Sequence, residues 1–371
     1  MAKRILVTGG AGFIGSHLTD SLLKKGHEVK ILDNLEPQVH SKMPDYLNKD
    51  AQFIQGDMRN DDDIRKALKG TDIIFHLAAM VGVGQSMYQI QRYTEVNTQA
   101  TAKLLETIIN GAYGIEKLLV ASSMSIYGEG AYQCHSCGVV YPKLRSEAQL
   151  AAKDWEMKCP MCSRNVTPIP TNEDKPLYPT SIYAINKRDQ EEMCLSIGLA
   201  YHIPTVALRY FNTYGTRQSL SNPYTGVAAI FLSRIKNDKP PMIFEDGLQA
   251  RDFISVHDIV QANILAMEKP EADYEVFNVG TGKPVTILQI ADILNKLCGK
   301  DLKPQVLGKY RSGDIRHCYA DITKIKSKLG FKPKVELDKG MEELIEWSET
   351  TTAEDKTQQA QEELLKNRLV K

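Results

Sequence analysis

The sequence predicts an α/β protein: a doubly wound parallel sheet, a smaller mixed α/β domain and an inserted loop rich in cysteine. Three observations carry that prediction. Apolar strand-like runs alternate with helical segments from residue 4 to 125, a glycine-rich turn joins the first run to the first helix, and two C-x-x-C pairs interrupt the pattern within residues 129–172. Such alternation calls for parallel pairing, with helices covering both faces of the sheet.

The elements follow in order. Arg4–Thr8 reads as a strand, Gly12–Lys25 as a helix, and Glu28–Asp33 and Phe53–Gly56 as strands; Ile64–Leu68 is a helix and Asp72–Leu77 a strand. The amphipathic Val96–Asn110 and the strand Lys117–Ser122 complete this half. After the cysteine segment come a helix over 180–200, a strand Thr205–Tyr210, and a mixed region from 213 to about 348.

Composition narrows the function. The chain has 371 residues with 46 basic and 46 acidic side chains, so zero formal net charge gives no electrostatic drive toward nucleic acid or an anionic membrane, and neither is expected as a partner. The apolar run in MAKRILVTGG is too short for a signal peptide or a membrane span and leads directly into the glycine-rich turn, so it reads as structure in a cytoplasmic protein.

Gly9, Gly12 and Gly15 follow the first strand and open the first helix. Glycine there permits a tight turn, close backbone approach to a pyrophosphate, and close packing of helix on strand, while the helix N-terminus offers N–H groups to phosphate. Asp33 ends the second strand 18 residues after Gly15, where a carboxylate can accept both ribose hydroxyls of an adenosine and repel a 2′-phosphate. A dinucleotide is therefore expected, NAD over NADP. On this basis residues 1–128 and 173–210 form a Rossmann domain, 129–172 an insertion, 211–348 mainly a substrate-binding domain, and 349–371 a polar tail that frays or lies as a surface helix.

The spacing G-x-x-G-x-x-G, with His76–Leu77–Ala78–Ala79, Asn97, Ser122–Ser123, Tyr183-x-x-x-Lys187, Arg209–Tyr210–Phe211–Asn212, Arg251–Asp252 and Arg311-x-Gly-Asp314, resembles the extended short-chain dehydrogenases/reductases of the nucleotide-sugar epimerase group. The resemblance implies cofactor contacts from Gly9, Gly12, Phe13, Ile14, Gly15, Asp33, Asn34, Asp57, Met58, Leu77, Ala78, Ala79, Asn97, Ser122, Tyr183, Lys187 and Tyr210. It implies substrate contacts from Val81, Ser123, Asn212, Arg251, Arg311 and Cys318. The two arginines would clasp a diphosphate with their planar donor forks. Cys318 would stand at a position that gates sugar size, or else fill a core.

Catalysis by Ser123, Tyr183 and Lys187 is implied. Tyr183 and Lys187 share a helix face, and an adjacent ammonium and the positive nicotinamide ring both favour the phenolate that a general base requires. The related 4,6-dehydratases carry Asp and Glu after the serine, where this chain has Met124 and Ser125. Oxidation followed by re-reduction is left, and with it inversion at a sugar C4 through a 4-keto intermediate.

The resemblance is nearest to dTDP-L-rhamnose 4-epimerases. UDP-glucose, UDP-N-acetylglucosamine or UDP-glucuronate as substrate, and a net NAD(H)-dependent oxidoreductase, stand as alternatives. Group members commonly dimerise through a four-helix contact, here Val96–Asn110 with Tyr183–Leu199, so a homodimer is expected.

Cys134, Cys137, Cys159 and Cys162 form two C-x-x-C pairs with 21 residues between them. Four thiolates so spaced can close tetrahedrally on structural zinc, which makes the insertion zinc-ribbon-like; a redox dithiol or four inert thiols are the rivals. The insertion follows the strand that delivers Ser123, so it is expected at the rim of the substrate cleft or on an adjoining subunit surface.

Overall fold

The computed structural model describes residues 2–40 and 42–371. In chain order the strands are β1 (Arg4–Thr8), β2 (Glu28–Asp33), β3 (Gln52–Gln55), β4 (Ile73–His76), β5 (Lys117–Ser123), β6 (Ala131–Cys134), β7 (Gly138–Val140), β8 (Thr167–Ile169) and β9 (Thr205–Tyr210). They continue as β10 (Asn212–Tyr214), β11 (Met242–Ile243), β12 (Ala250–Ser255), β13 (Val276–Val279), β14 (Pro284–Thr286), β15 (Gln305–Val306) and β16 (His317–Cys318). Helices α1 (Phe13–Lys24), α2 (Asp61–Leu68), α3 (Val83–Ser86), α4 (Ile90–Tyr93), α5 (Ala100–Asn110), α6 (Glu147–Ala151) and α7 (Ile182–Ala200) belong to the first half of the chain. Helices α8 (Val227–Lys236), α9 (Val256–Glu268), α10 (Ile287–Leu297), α11 (Thr323–Leu329), α12 (Leu337–Glu349) and α13 (Thr357–Lys366) complete it.

The apolar runs pair in the spatial order β13-β9-β5-β4-β1-β2-β3, all parallel. Order turns outward in both directions from β1 and β4, so a crevice opens beyond the carboxyl ends of the strands. One face packs on α1, α9 and α11 through a core including Leu18, Leu22, Ile259 and Leu329; the other packs on α2, α5 and α7 through Ile64, Leu104 and Cys194.

Three local departures from expectation have physical causes. Helix α2 begins at Asp61, three residues before the expected Ile64, because the Asn60 side chain accepts from the Asp62 and Asp63 N–H groups and three aspartates suit the positive helix end. The stretch Val96–Asn110 is not one α-helix: α4 runs through a π-helical segment, Thr94–Gln99, into α5. Strand β13, expected in the substrate domain, pairs with β9 and completes the central sheet, so the second half crosses back into the Rossmann layer.

The second unit holds β10, β12, β14 and β16 in one small sheet and β11 with β15 in another. Helices α8, α10 and α12 close it around Phe231, Leu232, Ile290, Leu294 and Leu344. The insertion folds as an antiparallel β7-β6-β8 sheet with its own core of Tyr132, Val140, Met157 and Val166. Among the described residues no helix is long and apolar enough to cross a membrane.

Candidate active site

A continuous cleft of about 660 Å³ runs from the β1–α1 turn to the second unit. The turn fits a dinucleotide because it leaves no room for side chains. At Gly15 an added Cβ would lie 2.3 Å from the Gly9 carbonyl oxygen, and at Gly9, whose φ is +70°, it would lie 2.9 Å from the Ala78 backbone. Asp33, at the end of β2, lines the cleft with its carboxylate held by the Ala11 N–H at 3.0 Å and the Leu35 N–H at 2.9 Å. Burial raises its pKa, partly offset by those two donors.

Phe13, Ile14, Asn34, Asp57, Met58, Leu77, Ala78, Ala79 and Ser122, the residues expected to meet a cofactor, also line the cleft. Asn34 donates to Asp57 at 3.0 Å, and Arg59 holds the Asp57 carboxyl down to about 2. The Ser122 hydroxyl is buried without a partner at the wall of the cleft. Asn97 stands elsewhere: fully buried, it accepts from the Met80 N–H at 2.8 Å and donates to the Met80 carbonyl at 3.1 Å, so it pins the loop after β4 from behind.

Ser123 ends β5, and Tyr183 and Lys187 enter from α7, which the Ser181 side chain caps by accepting from the Ala184 N–H. All three line the cleft. The Tyr183 main chain is tied to the Ser86 hydroxyl at 3.0 Å, the Lys187 ammonium donates to the Ala121 carbonyl at 2.9 Å, and Ser125 donates to the Ser123 hydroxyl at 2.9 Å. The protein's own groups, without the nicotinamide charge that the expectation also counted on, do not make the phenol acidic. Burial pushes Tyr183 up to about 12, opposed by its hydrogen bond to Ser123, and pushes Lys187 down to about 8. Desolvation disfavours both charged forms, so it outweighs the pairing that helix spacing suggested.

On the substrate side Val81, Tyr210, Asn212, Arg251 and Arg311 line the cleft. Asn212 Oδ1 is buried and unpartnered, whereas the Tyr210 hydroxyl donates to Asn263 at 2.9 Å. Arg251 donates to the carbonyls of Ala250, Arg316 and Ile315 at 2.6–2.8 Å, which commits three of its five N–H groups to the wall. Arg311 stacks 4.8 Å over Phe244 and donates to Asp314 at 2.7 Å.

Cys318 is not a gate. It is 1% exposed, absent from the cleft, and packed with Met124, Tyr127, Phe211 and Ala320, with Thr171 of the insertion 3.8 Å away. Strand β16 pairs with β12 beside Arg251 and turns the cysteine into that core.

The four insertion cysteines converge, their sulfurs all within 4.8 Å of one another, and all are free thiols. None of residues 129–172 lines the cleft, so the insertion is not its rim; it braces the wall from behind. Arg145 grips Glu245 in a bidentate pair at 2.7–2.8 Å with side chains 1% and 3% exposed, and Glu245 does line the cleft. Glu156 pairs with Arg316 at 2.6 Å on the same wall. The tail is likewise no frayed end. Helix α13 places Thr357, Ala360, Gln361 and Leu364 in the cleft. The one available signal was the apolar pair Ala360 and Leu364 one turn apart in a polar segment.

Comparison with known proteins agrees with this geometry. The model of the NAD dependent epimerase/dehydratase family matches residues 5–146 and 161–280, omitting only insertion residues between them. The chain is 36% identical over 351 residues to a dTDP-L-rhamnose 4-epimerase of Burkholderia thailandensis, covering 93% of this chain and 94% of that protein. It superposes on a UDP-glucose 4-epimerase of Thermotoga maritima, solved with UDP-glucose, with a TM-score of 0.76 and 34% identity over 94% of this chain and 99% of that one. A Bacillus cereus UDP-glucuronic acid 4-epimerase, solved with UDP-glucuronic acid and NAD, gives a TM-score of 0.77 at 30% identity, covering 94% of this chain and 99% of that one. Motif, sheet order and cleft converge with these matches: the chain belongs to the NAD-dependent epimerase/dehydratase family, among its nucleotide-sugar 4-epimerases, which are isomerases.

Proposed function

We propose that the protein inverts C4 of a nucleotide-diphosphate sugar, interconverting dTDP-L-rhamnose and dTDP-6-deoxy-L-talose. Ser123, Tyr183 and Lys187 lining one cleft with the glycine turn, Tyr183 hydrogen-bonded to Ser123, support the reaction type. The choice of sugar rests on the 36% identical relative that bears that activity in its name.

Bound NAD supplies a reversible hydride acceptor and, as a cation, a charge that lowers the Tyr183 phenol. Asp33 would hold the adenosine ribose, and the unshielded N–H groups of the glycine turn the pyrophosphate. Tyr183 removes the proton of the C4 hydroxyl while Ser123 hydrogen-bonds the same oxygen, and Lys187, anchored on Ala121, favours the phenolate. The 4-keto sugar then presents its other face, and Tyr183 returns the proton to the oxygen. Met124 is buried and Ser125 is tied to Ser123, so neither supports elimination of water. Arg251 and Arg311 would position the diphosphate, and the free Asn212 amide oxygen would accept from a sugar hydroxyl.

The four convergent thiols would hold structural zinc; a closed four-sulfur site has no position for substrate, so its role is to order the insertion. Free thiols and a thiolate site suit the reducing cytosol. The shallow apolar groove between α5 and α7, lined by Leu105, Ile109, Met193 and Ile197, would be the homodimer contact; sedimentation of a monomer would refute that part.

The deciding experiment incubates the purified protein, without added cofactor, with dTDP-L-rhamnose, UDP-glucose, UDP-N-acetylglucosamine and UDP-glucuronate and follows C4 inversion by proton NMR. Inversion of dTDP-L-rhamnose is expected. Inversion of a UDP-sugar alone would overturn the choice of sugar, and net oxidation with no inversion would overturn the reaction.

A further inference from the structure

Residues 357–371 touch three sides of the cleft mouth. Ala360 and Leu364, each 6% exposed, face inward from α13, and Leu364 packs over Gly84 on the segment after β4. Next to Leu364, the Glu363 carboxylate accepts from the Tyr88 hydroxyl at 2.7 Å and from the Tyr224 hydroxyl, joining that same segment to the loop before α8.

Beyond the helix the chain pairs antiparallel with the loop that carries Arg311. The Ser312 N–H donates to the Leu369 carbonyl at 2.8 Å, and Tyr310 and Lys371 exchange both main-chain hydrogen bonds at 3.0–3.1 Å. Val370 is 5% exposed beneath this ladder. A segment needed only for solubility has no reason to bury three aliphatic side chains and to spend its last carbonyls on an arginine-bearing loop.

Resting on the activity above, we propose that residues 357–371 form a terminal strap that determines substrate binding: Ala360, Gln361 and Leu364 wall the pocket, and the ladder at 369–371 holds Arg311 where it meets the diphosphate. The Glu363 contacts with Tyr88 and Tyr224 tie the strap to the two segments that face it across the cleft mouth.

The test compares the full chain, a chain ending at Lys356, and Ala360→Phe, which adds a ring to the inward face. UDP and dTDP binding is measured by calorimetry, and KM and kcat with the sugar that turns over. Truncation should weaken nucleoside diphosphate binding and raise KM about tenfold or more, with kcat changed by about threefold at most. Ala360→Phe should raise KM and weaken nucleoside diphosphate binding, with kcat changed by about threefold at most.

Binding and KM within about twofold of the full chain in both variants would overturn the proposal. If the truncated chain does not fold, Ala360→Phe decides by itself. A full chain that binds UDP or dTDP but inverts no sugar refutes the activity and leaves the strap to be judged by binding alone; a full chain that binds neither refutes both.

Discussion

Gly15→Ala should separate cofactor binding from folding more sharply than any substitution in the catalytic group. The new Cβ would lie 2.3 Å from the Gly9 carbonyl oxygen and 2.7 Å from Gly10 Cα, both backbone atoms, and real Cβ contacts essentially never fall under 3.0 Å. The turn must therefore open by at least 0.7 Å at its narrowest point. Overpacking of this kind costs about 1–3 kcal/mol. Much of that cost should fall on the cofactor-bound state, because the displaced N–H groups are those proposed to hold the pyrophosphate. At about 1.4 kcal/mol per tenfold, NAD affinity should fall about 10- to 100-fold. Gly12→Ala meets the Gly9 oxygen at 3.3 Å and should do much less. The assay is NAD retained through purification, together with titration of the emptied protein and thermal unfolding with and without NAD. Equal NAD affinity in wild type and Gly15→Ala, or greater loss in Gly12→Ala, would refute the cradle.

Three further outcomes test the remaining parts. Tyr183→Phe should lose at least about 100-fold in turnover while keeping its NAD content, since general acid–base catalysis contributes about 10²–10⁴; turnover within about tenfold of wild type would remove Tyr183 from its role. Lys187 has its pKa lowered to about 8 by burial, so its ammonium is lost as pH rises through that value. Activity should decline there, and Lys187→Arg, always charged, should abolish that limb. The sign for stability is opposite: between about 8 and the ordinary lysine value the unfolded chain binds more protons, so this group's contribution to stability rises with pH. Metal analysis should find about one zinc per chain, and chelation or Cys134→Ser should lower the unfolding temperature and open the insertion to protease; a metal-free protein of unchanged stability would dismiss the zinc.

Periodicity and motif spacing made the Rossmann half legible, because strand alternation and the glycine turn act over a few residues. The short strand β13 was not legible in that way. It has four residues, and its place beside β9 depends on a partner 69 positions earlier.

The same division runs through the site. Sequence alone picked out the glycine turn, Asp33, Ser123, Tyr183, Lys187 and the two cysteine pairs, since each depends on local geometry or on residue type at fixed spacing. Only tertiary structure decided where side chains face and what surrounds them. It turned Cys318 into a core, put Asn97 behind the loop after β4 instead of in the cofactor cleft, set Arg145 against Glu245, and folded the polar terminal segment over the cleft. It also decided the electrostatics of Tyr183 and Lys187, because desolvation is a property of every atom packed around a group, and no spacing in a sequence records it.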